Sequence, residues 1–102
     1  MKTEEFADWL KETKKYKKNV LESRLSNCHR VEEYYSDLDN HFRKDKGKHL
    51  FALFTYSKDD ERENKPTKHV IPINGNLREG SATLKQAIKL YMNFMNQKSE
   101  AK

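Results

Sequence analysis

The stretch that most constrains this chain lies near its end: Ser81-Ala82-Thr83-Leu84-Lys85-Gln86-Ala87-Ile88-Lys89-Leu90-Tyr91-Met92-Asn93-Phe94-Met95. Leu84, Ala87, Ile88, Tyr91 and Met95 recur at helical spacing, so one side of a helix over residues 81–95 can bury. Lys85, Lys89 and Asn93, four apart, line up on another side. Ser81 is a candidate N-cap, and Gly80 before it permits a sharp change of direction. One side of this helix organises a core and the other is basic.

The rest of the chain has to cover that apolar side. It has 102 residues, the size of one domain, which we place at 1–96 with a frayed tail over 97–102. Hydrophobic residues make up 34 % against 36 % charged, a sparse core until its aromatic content is considered: one Trp, five Tyr and five Phe. Large rings bury much area each and offset a short list of aliphatics.

The first apolar stripe is Phe6, Trp9 and Leu10, on a short helix with Thr3 as its cap and Glu4 and Glu5 at the positive end of its dipole. Lysines crowd residues 11–18 and form a turn. A second helix is predicted from about Tyr16 to Tyr35, with Leu21, Leu25, Cys28, Val31 and Tyr35 at steps of three and four. Arg24 and Arg30 are read as lying off that stripe. Ser36-Asp37-Leu38-Asp39 starts a new helix that carries Leu38 and Phe42 and ends near Gly47.

Residues 49–57 hold Leu50, Phe51, Leu53, Phe54 and Tyr56 and are assigned to a further helix. Residues 59–68, charged and without apolar period, are expected to form a mobile surface loop. Val70-Ile71-Pro72-Ile73 is β-like, but Pro72 lacks a donor, so an edge strand or an extended strap is expected. Asn74-Gly75-Asn76 turns the chain toward the last helix. The expected fold is all-α, a compact bundle of four to five helices with one long surface loop.

Charge points to function. The net charge is +5, unevenly placed. Residues 11–24 carry six basic and two acidic side chains and residues 78–102 five and two, whereas residues 29–64 sum to −2. Two basic segments flanking an acidic centre suit a polyanion such as nucleic acid, through phosphate neutralisation and counterion release. Tyr16, between Lys15 and Lys17, is a candidate exposed ring for base stacking.

Catalytic patterns are missing. His29, His41, His49 and His69 form no HxxxH or HExxH pair, and with Cys28 as the one cysteine neither zinc nor an internal disulfide is expected. Cys28 falls on the apolar stripe as a small hydrophobe. Asp37 and Asp39 have a capping role, and Asp59, Asp60 and Glu61 sit without a convergent partner. No phosphate loop or GxSxG occurs, so we expect no enzyme, no metal and no cofactor. With no apolar leader and no run of roughly 18 apolar residues, a cytoplasmic protein without membrane contact is expected.

The short first helix with Phe6, Trp9 and Leu10, the Lys/Tyr-rich turn, the long second helix and the closing Ser-Ala-Thr-Leu-Lys-Gln-Ala-Ile-Lys-Leu-Tyr-Met-Asn-Phe together resemble a known type. They are similar to the helical, SAM-like core-binding domains that precede the catalytic domain in phage integrases and tyrosine recombinases. The run of residues 23–32, Asp37-Leu38-Asp39 and residues 71–76 are also similar to N-terminal modules of bacterial restriction-type and mobile-element proteins.

The resemblance implies a SAM-like bundle that clamps duplex DNA with its second and last helices while another domain, or a partner protein, does the cutting. Onto this sequence it carries Lys14, Lys15, Lys17, Lys18, Arg24 and Arg30 in one group and Lys85 and Lys89 in the other. The 57–80 segment is longer than the connection usual in such modules. The alternative is a protein-interaction or dimerisation module with the aromatic run at 49–56 as an exposed patch.

Overall fold

In the computed structural model, which describes residues 1–100, α6 (Leu77–Glu100) is the axis against which every other helix packs. Leu84, Ala87, Ile88, Leu90, Tyr91, Met92, Phe94 and Met95 are all buried, a wider apolar band than one stripe, so this helix needs covering on several sides. α2 (Lys18–Tyr35) covers it most extensively, and α1 (Thr3–Glu12), α3 (Leu38–Asp45), α4 (Lys48–Leu53) and α5 (Lys58–Arg62) complete the shell. The chain is all-α, with no strand among the described residues.

The aromatic residues close one end. Phe6 meets Tyr91 edge-on at 5.0 Å and Phe94 at 5.5 Å, and Trp9 lies 5.9 Å from Phe94. Such pairs contribute about 0.5–1.5 kcal/mol each beyond their buried area. Cys28 and Val31 are buried on α2 as the stripe requires, with Leu21, Leu25 and Tyr35 packed half-buried beside them.

Four features depart from expectation. Six helices are present among the described residues, because Ser57 and Asp60 form a capping box that starts α5 inside the segment expected to be a loop. Each side chain accepts from the other residue's backbone N–H, so one turn forms without any apolar period. Second, α6 starts at Leu77, where the Asn76 side chain accepts from the Glu79 N–H at 2.9 Å. Ser81 is therefore no cap; it lies fully buried four residues into the helix. Gly80 is also helical, and a methyl group there would overlap Ile73 Cγ2. Glycine is needed for that close approach rather than for a turn.

Third, Thr3 is the first helical residue of α1 rather than its cap, and Lys2, at the cap position, donates its N–H to the Tyr91 hydroxyl at 2.9 Å. Fourth, α6 does not fray after Met95: Gln97 accepts from Trp9 Nε1 at 2.9 Å, and Lys98 pairs with Glu5. The last two residues of the expected tail, 101–102, lie outside the described residues.

Residues 69–73 form the strap, not a strand. Ile71 is buried and Ile73 half-buried, while Val70 remains 68 % exposed. Val70 donates to the Tyr35 hydroxyl at 2.7 Å, and Arg30 donates to the Pro72 carbonyl. His69, 4 % exposed, stacks on Phe54 at 4.5 Å and shares a hydrogen bond of 2.8 Å with Ser81.

Candidate nucleic-acid interface

The direction of α2 against α6 follows from its contacts. Tyr35 holds Val70, next to His69 on Ser81, so the C-terminal end of α2 sits by the start of α6. Midway, the Cys28 thiol donates to the Ala87 carbonyl at 3.4 Å. The two helices therefore run antiparallel, and the α1/α2 connection lies toward the far end of α6, where Trp9 meets Gln97.

Lys14, Lys15, Lys17 and Lys18 cluster on that connection, and all are exposed. Lys14 lies over the Trp9 ring, 5.4 Å from its centroid; Lys15 takes a left-handed conformation with φ 58°; Lys17 and Lys18 open α2. Lys85 and Lys89 form the second group, one turn apart on α6. Gln97 is eight residues beyond Lys89, about 12 Å along the helix and about 80° around it, and about 18 Å beyond Lys85. The Cys28–Ala87 contact, however, puts α2 on the side of α6 about 160° around the helix from both Lys85 and Lys89, so the structure does not bring the two groups onto one face.

The arginines depart from expectation. Arg24 lies one turn before Cys28 and two before Val31, on the inner edge of the stripe, and its Nε is buried without a hydrogen-bond partner. The spacings of four and seven to those apolar residues are the signal for this in the sequence. Arg30 is six residues further on, about 120° away around α2. Its guanidinium latches the strap through Pro72, a structural task. Tyr16 is half-buried against the core and donates its N–H to Leu10, so it is no exposed stacking ring.

Among the described residues none of the eight candidate cations forms an ion pair. Cations elsewhere do: Lys2 with Asp39, Arg62 with Asp59, Lys65 with Glu63, Arg78 with Glu61 and Lys98 with Glu5. Lys85 donates to the Thr55 hydroxyl at 2.7 Å, a partner that sequence reasoning missed because the two residues are thirty apart. Partial burial and then the neighbouring Lys89 charge lower the Lys85 pKa. Lys11, Arg43, Lys44, Lys46, Lys48, Lys58 and Lys68 also form no ion pair among the described residues, so unpaired cations are not confined to the candidate groups.

The acids of the central segment are used internally. Asp37 caps α3, and the Met1 ammonium at 2.7 Å together with the Asp39 N–H holds its carboxyl at about 2. Asp39 accepts from Lys2 and from Tyr91, whose hydroxyl is pushed up by burial and by that carboxylate. The Cys28 thiol is pushed up to about 12, chiefly by burial. Among the described residues no three His, Cys, Asp or Glu side chains converge to hold a metal, and no helix is long and apolar enough to cross a membrane.

The aromatic run over 49–56 is not the exposed patch considered above. Leu50 and Phe54 are buried, and Phe51 and Leu53 pack half-buried against the core. No protein-family model, curated protein or solved structure matches this chain.

Proposed function

We propose that this chain is a non-catalytic nucleic-acid-binding module, directed to the phosphate backbone of duplex DNA and working beside the catalytic domain of an integrase- or nuclease-like protein. What supports this is unneutralised charge: among the described residues the cations in the α1/α2 connection and at Lys85 and Lys89 have no carboxylate partner, as is true also of Lys11, Arg43, Lys44, Lys46, Lys48, Lys58 and Lys68, while Lys2, Arg62, Lys65, Arg78 and Lys98 are paired. Adjacent like charges such as Lys85 and Lys89 repel in the free protein, and a bound phosphate relieves that repulsion. Contacts of this kind position rather than specify, so little sequence preference is expected. The resemblance to recombinase core-binding domains suggests the setting.

Titration against a short duplex oligonucleotide tests the reading. Affinity should fall on the order of a hundredfold or more between about 50 and 200 mM salt if four or more phosphates are neutralised. Lys85→Glu with Lys89→Glu should weaken binding and leave helicity intact. Absence of binding at low salt, or binding indifferent to salt, would refute it.

A further inference from the structure

The seam between α4 and α6 holds a cation that the segment charges conceal. Lys85 donates to Thr55 just beyond the end of α4, and at the other end Gly47 abuts Met92, where an added Cβ would lie 3.0 Å from Cγ. α4 thus runs antiparallel to this part of α6. Lys48 precedes Thr55 by seven residues, two helical turns, and so lies on the same side of α4 about 10 Å away. The winding continues through the end of the helix, since the Phe54 N–H donates to Leu50 and the Thr55 hydroxyl to Phe51. Lys89 sits between, one turn from Lys85 and three residues from Met92.

We propose that Lys48 is the third cation of a phosphate-binding seam with Lys85 and Lys89, contacting the backbone of a nucleic-acid strand that lies along α4 and α6. This rests on the reading above and extends it to a residue outside both basic segments. Residues 29–64 sum to −2, but that is a sum along the chain. Asp45, the acid nearest Lys48 in sequence, is turned onto the N–H groups of Gly47 and His49, each at 3.0 Å. Lys48 itself is exposed and, among the described residues, unpaired.

Lys85 and Lys89 likewise form no ion pair among the described residues. Half-buried Phe51, three residues after Lys48 and four before Thr55, supplies an apolar floor between the cations. Three positive charges over about 10 Å suit two or three phosphates, which rise about 3.4 Å each along a strand.

The test compares Lys48→Glu with Lys68→Glu, an equal change of net charge at an exposed lysine beside Asp60 and outside the seam. On the duplex at low salt, Lys48→Glu should weaken binding at least about tenfold and Lys68→Glu less than about threefold. Lys48→Ala should flatten the logarithmic salt slope by about one and serves should the Glu variant misfold. In the wild type, amide resonances of Lys48, Phe51 and Ala52 should shift on adding duplex. If Lys48→Glu matches Lys68→Glu while Lys85→Glu with Lys89→Glu abolishes binding, the seam assignment is overturned and the broader reading stands. If the wild-type chain shows no salt-sensitive binding, both fall.

Discussion

The two flanks of α6 treat charge in opposite ways. Toward α1 and α3, polar groups are matched: Tyr91 and Lys2 both meet Asp39, Trp9 meets Gln97 and Lys98 meets Glu5. Toward α4, Lys85 has only a hydroxyl, and Lys89 and Lys48 have no ion pair among the described residues. The first flank ties sequence-distant segments together, and removing Asp39 there strands the buried Tyr91 hydroxyl. The second carries charge that the fold does not require. Exposed cations without partners add little to stability, and under the proposal above those of this seam are available to phosphates.

Four measurements can break or sharpen this contrast. Asp39→Ala should have the largest effect, because it leaves the buried Tyr91 hydroxyl and Lys2 without their acceptor: a loss of about 1–3 kcal/mol and a Tm lower by roughly 5–20 °C in thermal melts. Gly80→Ala should come next. Helix propensity favours alanine by about 0.5–1 kcal/mol, yet overlap with Ile73 should make the variant about 1 kcal/mol less stable by urea unfolding.

The strap supplies the third. Burial and the nearby Arg30 charge lower the His69 pKa from its ordinary 6.5, while the Ile71 backbone works the other way. The unfolded chain then takes up this proton before the folded one does. Stability is fully present above pH 6.5, where His69 is neutral in both states, and declines as pH falls toward and through the depressed folded value. Melts between about pH 7.5 and 5 should show this decline, and His69→Gln should flatten it. Smallest should be Lys85→Ala with Lys89→Ala, within about 0.5 kcal/mol of wild type; a larger loss would mean that the α4 flank is structural after all.

The sequence made the helices legible wherever burial follows a period. Phe6 and Leu10, Cys28 and Val31, and Leu84, Ala87, Ile88, Tyr91 and Met95 all stand at the expected spacing, and all are buried. What it hid were pairwise arrangements. Ser81 has good cap chemistry, but Asn76 caps first, which leaves Ser81 free to meet His69. The capping box of α5 uses Asp60 where Glu or Gln is the usual signal. Of the eight candidate cations, six are exposed or half-exposed without an internal task as demanding as those of the arginines, whose roles depend on which side of α2 they face. Charge summed along the chain also misled, because Asp37, Asp39 and Asp45 point their carboxylates at neighbouring backbone or buried partners and leave nearby lysines outward.

The position of Cys28 has an experimental use. Its sulfur bridges the two longest helices, and a thiol pushed up to about 12 carries almost no thiolate at neutral pH. An alkylating reagent can modify it only when α2 lifts from α6, so the labelling rate becomes a native clock for that opening, read without introducing a dye or a mutation.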